Sequence, residues 1–314
     1  MLPQIAGRTI AGFALAALAY TPLHAQTTWA PPAPATPLAI QPAPVYPAAA
    51  SVAPAYTTAT HPAVRPRLYA LDCGRIHLPD MSMFSDTGEY DGKSGTLVTP
   101  CFLILHPSGT LLWDTGLSDT LLGKGPLLVE GGTTLQVDRG LRAQLQSIGV
   151  SQIDYLGFSH FHFDHTGNAG AFPNATWLVS RTEQAASLAA PNAFVDPDDI
   201  RPGSHVRQQM LDGDHDVFGD GTVRILRAPG HTPGHQVLMV RLAASGPVIL
   251  SGDLYHTRDN RRYQRVPSFN VNRADTLASM NRIETLARNI GARVIVQHDP
   301  EEFAVLPRLP DYLE

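Results

Sequence analysis

Short apolar runs separated by polar, Gly- and Pro-containing connections follow one another from about residue 67 to the C-terminus. Such runs, bounded by turn residues and rich in branched or aromatic side chains, are typical of buried strands. This criterion predicts strands at 67–72, 96–105, 110–113, 154–159, 176–179, 223–227, 236–242, 248–250 and 292–297.

The clearest helix is predicted at 273–290, where the apolar residues recur at three- and four-residue spacing and a glycine follows directly. Its apolar positions are Leu277, Met280, Ile283, Leu286 and Ile290. Shorter helices are predicted at 141–148 and 181–189. Strands and helices that alternate in this way indicate an α/β fold.

The first 66 residues differ from the rest of the chain. Met1–Ala25 carries one Arg and no acidic residue, and contains an apolar run at 10–19, which is typical of a secretory signal peptide and too short for a spanning helix. Residues 26–66 are rich in Ala and Pro, so we expect a disordered linker. The predicted organisation is a signal peptide (1–25), a linker (26–66) and a folded domain (67–314), in a periplasmic or secreted protein whose mature chain has no stable membrane span.

The composition limits the kinds of molecule that the protein is expected to bind. The 314-residue chain has 23 basic and 28 acidic side chains, a net charge of −5, which argues against a nucleic-acid-binding surface. Its two cysteines, Cys73 and Cys101, lie in strand-like runs. In an exported protein they could form one disulfide, and two buried free thiols are the alternative. Oligomeric state leaves no signal in the sequence, and a homodimer stays open.

The segment 159–167 concentrates potential metal ligands. His160, His162, Asp164 and His165 fall within six residues, directly after the strand predicted at 154–159. In extended backbone, residues two apart point the same way, so His160 and His162 can bind one ion, whereas Asp164 and His165 need a turn to face a second. A His-rich surface loop is the alternative, but neither a core nor a surface requires this cluster.

Three further potential ligands follow other apolar runs. His231 lies in a Gly/Pro-rich loop at 229–235, Asp253 follows the strand at 248–250, and His298 follows the strand at 292–297. Open α/β sheets place their chemistry at strand ends. These side chains are therefore candidates to complete two metal sites.

Together with Trp-Asp-Thr-Gly at 113–116, Ser-Gly-Asp-Leu-Tyr-His at 251–256 and Gln-His-Asp at 297–299, this ligand set resembles the metallo-β-lactamase superfamily, and within it the N-acyl homoserine lactonases. The resemblance covers the chain from about residue 67 to its end. It implies a four-layer αβ/βα sandwich with metals in the cleft at the sheet edges. It also implies a metal-dependent hydrolase that opens the lactone ring of N-acyl homoserine lactones, the activity called quorum quenching.

The resemblance further implies a centre of two zinc ions, although His/Asp sets also accept other divalent metals. Zinc lowers the pKa of water to about 7, and Asp164 would carry a proton to the leaving alkoxide. Apart from the resemblance, Asp114 ends a predicted strand and is a candidate to hydrogen-bond a ligand imidazole or the ligand loop. His235 is a weaker candidate for such support, and a residue that starts the next strand is the alternative. The implied ligands are His160, His162 and His231 for one ion, Asp164, His165 and His298 for the other, and Asp253 as the bridge.

The chain departs from the lactonase pattern three residues after Asp253. Many of these lactonases have a Tyr there, whose hydroxyl reaches the substrate carbonyl, whereas this chain has His256 and places Tyr255 one residue earlier. Both are candidate catalytic residues, but only one of two neighbours in an extended segment can face the metals. Position favours His256. In the alternative, His256 supports the ligands from behind and Tyr255 is a packing residue.

An acylated lactone needs an apolar surface beside the metals. Met81, Met83 and Phe84 lie in an early loop-like segment, and methionine adapts to irregular apolar partners. Phe163 lies within the ligand run, where related lactonases also have Phe. We expect these four side chains to contact the substrate, and ordinary core packing is the alternative.

Other functions on the same scaffold stay open. A thioesterase, an arylesterase or a β-lactamase-like hydrolase would use a similar centre, although the best-known zinc β-lactamases have Cys in place of Asp253. An iron redox protein of this fold generally has a carboxylate in place of His162, because iron suits oxygen ligands. The sequence therefore favours a hydrolase.

Overall fold

The computed structural model describes residues 66–190, 194–201, 203 and 206–314. The predicted signal peptide and residues 26–65 of the predicted linker lie outside the described residues. The helices are α1 (Leu141–Ser147), α2 (Phe163–Thr166), α3 (Arg181–Ala189), α4 (Pro197–Ile200), α5 (Arg258–Tyr263), α6 (Arg273–Ile290) and α7 (Pro300–Ala304). The strands are β1 (Arg67–Leu71), β2 (Arg75–Leu78), β3 (Gly95–Val98), β4 (Cys101–His106), β5 (Gly109–Trp113), β6 (Leu127–Leu128), β7 (Thr134–Gln136), β8 (Tyr155–Gly157), β9 (Thr176–Ser180), β10 (Gln208–Leu211), β11 (His215–Asp216), β12 (Val223–Arg227), β13 (Gln236–Leu242), β14 (Gly246–Leu250) and β15 (Arg293–Ile295).

Two larger sheets and one smaller sheet contain these strands. The first sheet has the order β1-β4-β5-β8-β9-β10, the second β11-β12-β13-β14-β15, and the third β3-β2-β7-β6. Strands β5, β8, β9 and β10 run parallel in the first sheet, and β14 and β15 run parallel in the second. The carboxyl ends of β8, β14 and β15 lead into the segments that carry His160, Asp253 and His298.

The first and second sheets pack face to face, with helices on both outer faces. Trp113 of β5 and Leu238 of β13 belong to the buried cluster between the sheets. Val237, the neighbour of Leu238, points the other way and packs in one cluster with Met280 of α6, as the two-residue period of a strand requires. Leu145 of α1 packs on the outer face of the first sheet. The fold is the four-layer αβ/βα sandwich, as predicted.

Helix α6 has the bounds that its sequence pattern predicts. The side chain of Asn272 accepts a hydrogen bond from the Asp275 N–H at 3.0 Å at its start, which satisfies a backbone donor that has no partner within the helix. Gly291 ends the helix in the left-handed region, with a φ of 66°. Met280 and Ile283 are fully buried against the second sheet.

The prediction of a single strand at 96–105 is wrong. The run forms β3 in the third sheet and β4 in the first, separated by Thr99 and Pro100. Pro100 has no N–H to donate to a strand neighbour, and the Thr99 N–H donates to the Gly74 carbonyl at 2.9 Å. An apolar run indicates that a segment is buried but does not indicate to which sheet it belongs. Strands β2, β6, β7, β10 and β11 were not predicted, because they are short and their apolar pattern is weak.

Cys73 and Cys101 form a disulfide, one of the two alternatives that the sequence left open. The bond joins positions 28 residues apart, at the end of β1 and the start of β4. By loop-closure entropy, such a cross-link contributes about 3.5 kcal/mol to the free energy of unfolding. Within the described residues, no helix has the length and apolar character needed to cross a bilayer.

Candidate metal centre

The ligand run begins just past the carboxyl end of β8. His160 and His162 follow the strand, and His162 keeps an extended conformation with φ −69° and ψ 151°. The one-turn helix α2 begins at the next residue and supplies the turn that Asp164 and His165 need. All four side chains are buried. The local backbone thus divides the run into a pair of histidines before α2 and an Asp-His pair inside it.

The three-histidine group contains His160, His162 and His231. The Nε2 atom of His231 lies 3.1 Å from Nε2 of His160 and 3.2 Å from Nδ1 of His162. The Oδ2 atom of Asp253 lies 3.2 Å from the same His231 nitrogen. Four potential ligand atoms therefore converge on one point.

The Asp-His-His group contains Asp164, His165 and His298. The Nε2 atoms of His165 and His298 are 3.1 Å apart, and Oδ2 of Asp164 lies 3.7 Å and 3.6 Å from them. The Oδ1 atom of Asp253 lies 3.1 Å and 2.9 Å from the same two nitrogens. Asp253 therefore presents one oxygen to each group, as a bridging carboxylate does.

The two groups fit metal ions. Nitrogen atoms bound at 2.0–2.1 Å to a tetrahedral zinc lie about 3.3 Å apart, close to the spacings of both groups. The Oδ1 atom of Asp253 is buried and accepts no hydrogen bond from the described residues. A buried carboxylate oxygen without a donor is costly unless it binds a cation. The structure thus brings together all seven predicted ligands in two adjacent sites.

Charged and backbone acceptors orient the imidazoles of the Asp-His-His group. The Asp114 Oδ2 atom lies 2.9 Å from Nδ1 of His165, and its Oδ1 accepts the Ser159 N–H at 2.7 Å. His298 Nδ1 donates to the Val98 carbonyl at 2.6 Å. These bonds fix the tautomers that leave both Nε2 atoms free to bind metal. The predicted role of Asp114 is confirmed.

Neutral side chains orient the imidazoles of the three-histidine group. His231 Nδ1 donates to Oδ1 of Asn270 at 2.9 Å, and His160 Nδ1 lies 3.0 Å from the Ser159 hydroxyl. Neither role was predicted from the sequence. Asn270 lies 39 residues from His231, and no local motif marks it.

His235 supports the bridging residue through its backbone, which is one of the two alternatives that the sequence left open. Its Nδ1 donates to the Ala228 carbonyl, and its Nε2 accepts the Asp253 N–H, both at 2.9 Å. Burial, the largest cause, lowers the pKa of His235 to about 3. The imidazole is therefore neutral at neutral pH, as its acceptor role requires.

His256 and Tyr255 lie on opposite sides of the chain, and the prediction of Tyr255 as a catalytic residue is wrong. Its hydroxyl donates to Glu284 of α6 at 3.1 Å, and its ring packs in the cluster under that helix. Neighbouring residues of an extended segment face opposite ways, and burial against α6 decides which one faces the metals. His256 faces the ligands, with Nε2 2.9 Å from Oδ2 of Asp253.

Aromatic side chains border the centre on the side of His256. Phe84, predicted to contact substrate, lies 5.0 Å from the His256 ring and 5.4 Å from the ring of Phe269. Phe269 in turn lies 5.6 Å from the ring of the ligand His231 and 5.5 Å from that of Phe194. Neither Phe269 nor Phe194 was predicted, because each lies in a loop without periodic pattern.

The other predicted substrate contacts lie in the same region. Met83 and Phe163 are partly buried and pack on the cluster that contains Phe84. Met81 is buried, and its side chain packs so closely on Gly95 that a Cβ there would meet it at 2.7 Å. Met81 therefore supports the loop as a core residue, which is the alternative that the sequence left open.

The chain matches known proteins over most of its length. The metallo-β-lactamase superfamily profile matches residues 94–298. The N-acyl homoserine lactonase AttM of Azorhizobium caulinodans is 34% identical over 264 residues, which cover 79% of this chain and 98% of that protein. The N-acyl homoserine lactonase AiiA of Bacillus thuringiensis subsp. kurstaki is 29% identical over 255 residues, with coverages of 79% and 98%.

The solved structures agree with these matches. An N-acyl homoserine lactone hydrolase, solved with the product N-hexanoyl-L-homoserine bound at its catalytic metal centre, superposes with a TM-score of 0.70 at 30% identity, covering 79% of this chain and 99% of that one. The fold, the ligand set and the extent of these matches all point the same way. The chain belongs to the metallo-β-lactamase superfamily and, within it, to the N-acyl homoserine lactonase family.

Proposed function

We propose that this protein hydrolyses the lactone ring of N-acyl homoserine lactones at a centre of two zinc ions. One observation carries the proposal: seven buried ligands form two groups that share Asp253. A solved relative binds N-hexanoyl-L-homoserine at its metal centre. When bound, the metal ions supply an activated water and polarise the ester carbonyl.

Side chains of the protein orient the metal ligands and supply a proton to the leaving group. Hydrolysis adds water across the ester C–O bond of the ring, and the leaving ring oxygen needs a proton. We assign that transfer to Asp164, a carboxyl group at the edge of the Asp-His-His group. His256 Nε2, 2.9 Å from Oδ2 of Asp253, holds the bridging carboxylate. Because Asp253 faces both ligand groups, this contact helps to fix the position of one group relative to the other.

The acyl chain is assigned to the aromatic border of the centre. Phe84 and Phe269 lie next to His256 and His231, and Met83 packs on the same cluster. Phe84 is already buried, so an acyl chain would cover the partly exposed Phe269 and Met83, which contributes about 25 cal/mol per Å² of apolar surface. Phe269→Ala should raise KM for a C12 lactone more than for a C6 lactone. Equal changes for the two substrates would contradict this assignment.

The function is tested with four substrates and the metal-loaded protein. C6 and C12 homoserine lactones, a thioester and a penicillin are compared by acid release. We expect both lactones to be opened fastest. Rapid turnover of the thioester or the penicillin, with the lactones untouched, would favour the second candidate, another hydrolase on this scaffold, which the shared Asp253 bridge also suits.

We also propose that the protein is exported, because Met1–Ala25 has the pattern of a signal peptide. Expression of the full chain in a Gram-negative host should give a periplasmic protein that begins at Gln26. Mass spectrometry of the periplasmic and cytoplasmic fractions measures this. A cytoplasmic protein that keeps its first 25 residues would overturn the proposal.

A further inference from the structure

Glu183 is a buried carboxylate that the proposed chemistry does not use. It lies in the first turn of α3 and is only 2% exposed. The N-cap of that helix is Ser180, whose hydroxyl accepts the Glu183 N–H. The Glu183 carboxylate is therefore directed away from its own helix end and toward other segments.

Its two oxygens bind two different ligand loops. Oε1 accepts the N–H of Phe161, which lies between His160 and His162, at 3.0 Å. Oε2 accepts the N–H of Gly234, three residues after His231, at 2.9 Å. One carboxylate therefore joins the two segments that supply the three histidines.

The packing around Gly234 shows how close this contact is. A Cβ built on Gly234 would lie 2.2 Å from the backbone nitrogen of Glu183, so only glycine permits the loop to approach α3. Burial, the largest cause, raises the pKa of Glu183, and the Thr232 hydroxyl together with the hydrogen bonds from Phe161 and Gly234 opposes that rise. A buried carboxylate is costly unless it is paired or hydrogen-bonded, and Glu183 meets this requirement with the amides of two ligand loops.

We propose that Glu183 is a positioning residue that holds His160, His162 and His231 in their metal-binding arrangement before the metal arrives. An unconstrained loop would lose conformational entropy when it binds the ion, and the carboxylate removes part of that cost during folding. The proposal needs a metal at the centre but no particular substrate. Its test can therefore fail or succeed independently of lactone hydrolysis.

The test is Glu183→Gln, in which an NH₂ group replaces one acceptor oxygen and opposes an N–H. Asp216→Asn is the matched control. Its carboxylate also accepts two glycine N–H groups, those of Gly219 and Gly221, at 2.9 and 2.7 Å. Zinc affinity is measured by chelator competition, and the occupancy of each site by anomalous scattering from crystals at limiting zinc.

We expect Glu183→Gln to weaken zinc binding about tenfold at the three-histidine group, to leave the Asp-His-His group occupied, and to lower kcat. Asp216→Asn should bind both ions as the wild type does. Unchanged zinc affinity in Glu183→Gln, or equal loss from both sites, would overturn the proposal. Should the variant not fold, hydrogen exchange of the metal-free wild type decides. Exchange of the Phe161 and Gly234 amides that is slower than that of exposed loop amides supports the proposal. Exchange at the same rate as exposed loop amides overturns it.

Discussion

The two halves of the metal centre are supported in different ways. In the Asp-His-His group, the carboxylate of Asp114 faces His165 and the carbonyl of Val98 accepts from His298. In the three-histidine group, the partners of His160 and His231 are the uncharged Ser159 and Asn270. Charge-assisted hydrogen bonds are about twice as strong as neutral ones. On the ring nitrogen that points away from the centre, His165 therefore has a charged partner, whereas His298, His160 and His231 have neutral ones.

The three-histidine group is also held through its backbone. Its loops are joined by Glu183 through the amides of Phe161 and Gly234. One centre can therefore be preorganised in two ways. A charged side chain can face the ring nitrogen of a ligand, as Asp114 does, or a carboxylate can accept from the backbone of the ligand loops, as Glu183 does. Each route predicts that a particular ion is lost first.

The bridging residue offers the largest effect, because both halves share it. Asp253→Ala removes a ligand oxygen from each group, so we expect neither ion to survive dialysis and turnover to fall about a thousandfold or more. Elemental analysis and lactone hydrolysis measure the two effects. Asp154→Ala, at an exposed carboxylate that accepts the Thr110 N–H, is the control. Full metal occupancy in Asp253→Ala would refute the bridge.

Replacement of the charged partner should affect only one half. Asn at position 114 cannot accept from the Ser159 N–H and also carry the charge that faces His165, so Asp114→Asn should weaken the Asp-His-His group about 10- to 100-fold. Anomalous scattering at limiting zinc should show that site emptied first. If the three-histidine site lost its ion first, Asp114 would not support the Asp-His-His group in particular.

The neutral partner should matter less. Asn270→Ala removes the acceptor of the His231 N–H, so we expect zinc affinity at the three-histidine group to fall by less than about tenfold. Asn270→Asp restores an acceptor and adds the charge that the other half has. Affinity should then return to at least the wild-type value, as measured by chelator competition. A loss in Asn270→Asp as large as in Asn270→Ala would argue against orientation through this ring nitrogen.

The smallest effect on chemistry is expected at Tyr255, which faces away from both halves. Tyr255→Phe removes its hydrogen bond to Glu284 and should lower the free energy of unfolding by about 1 kcal/mol. Zinc content and kcat should stay at wild-type values. Thermal unfolding and lactone turnover separate the two quantities. A large fall in kcat with unchanged zinc content would return Tyr255 to the catalytic residues.

The parts of the fold that were predictable are those with local signals. Helix α6 was predicted with its observed bounds, because its apolar spacing and Gly291 lie within one stretch of chain. The division of 96–105 between two sheets was not predictable, since the partner of β3 is β2 and that of β4 is β1 and β5. Strand pairing is a contact between distant residues, and an apolar run does not encode it.

The amino-acid sequence was enough to identify the side chains that can bind metal, because five imidazoles and two carboxylates follow strand-like runs, which is a rare composition on a regular backbone. Two of the supporting side chains, Asp114 and His235, were also predicted, but the tertiary structure was needed to identify Ser159, Asn270 and Glu183. Packing against α6 turned Tyr255 away and His256 inward. The contacts of Glu183 cross 22 and 51 residues. Orientation at this centre depends on such long-range contacts, which form only when the sheets and helices pack.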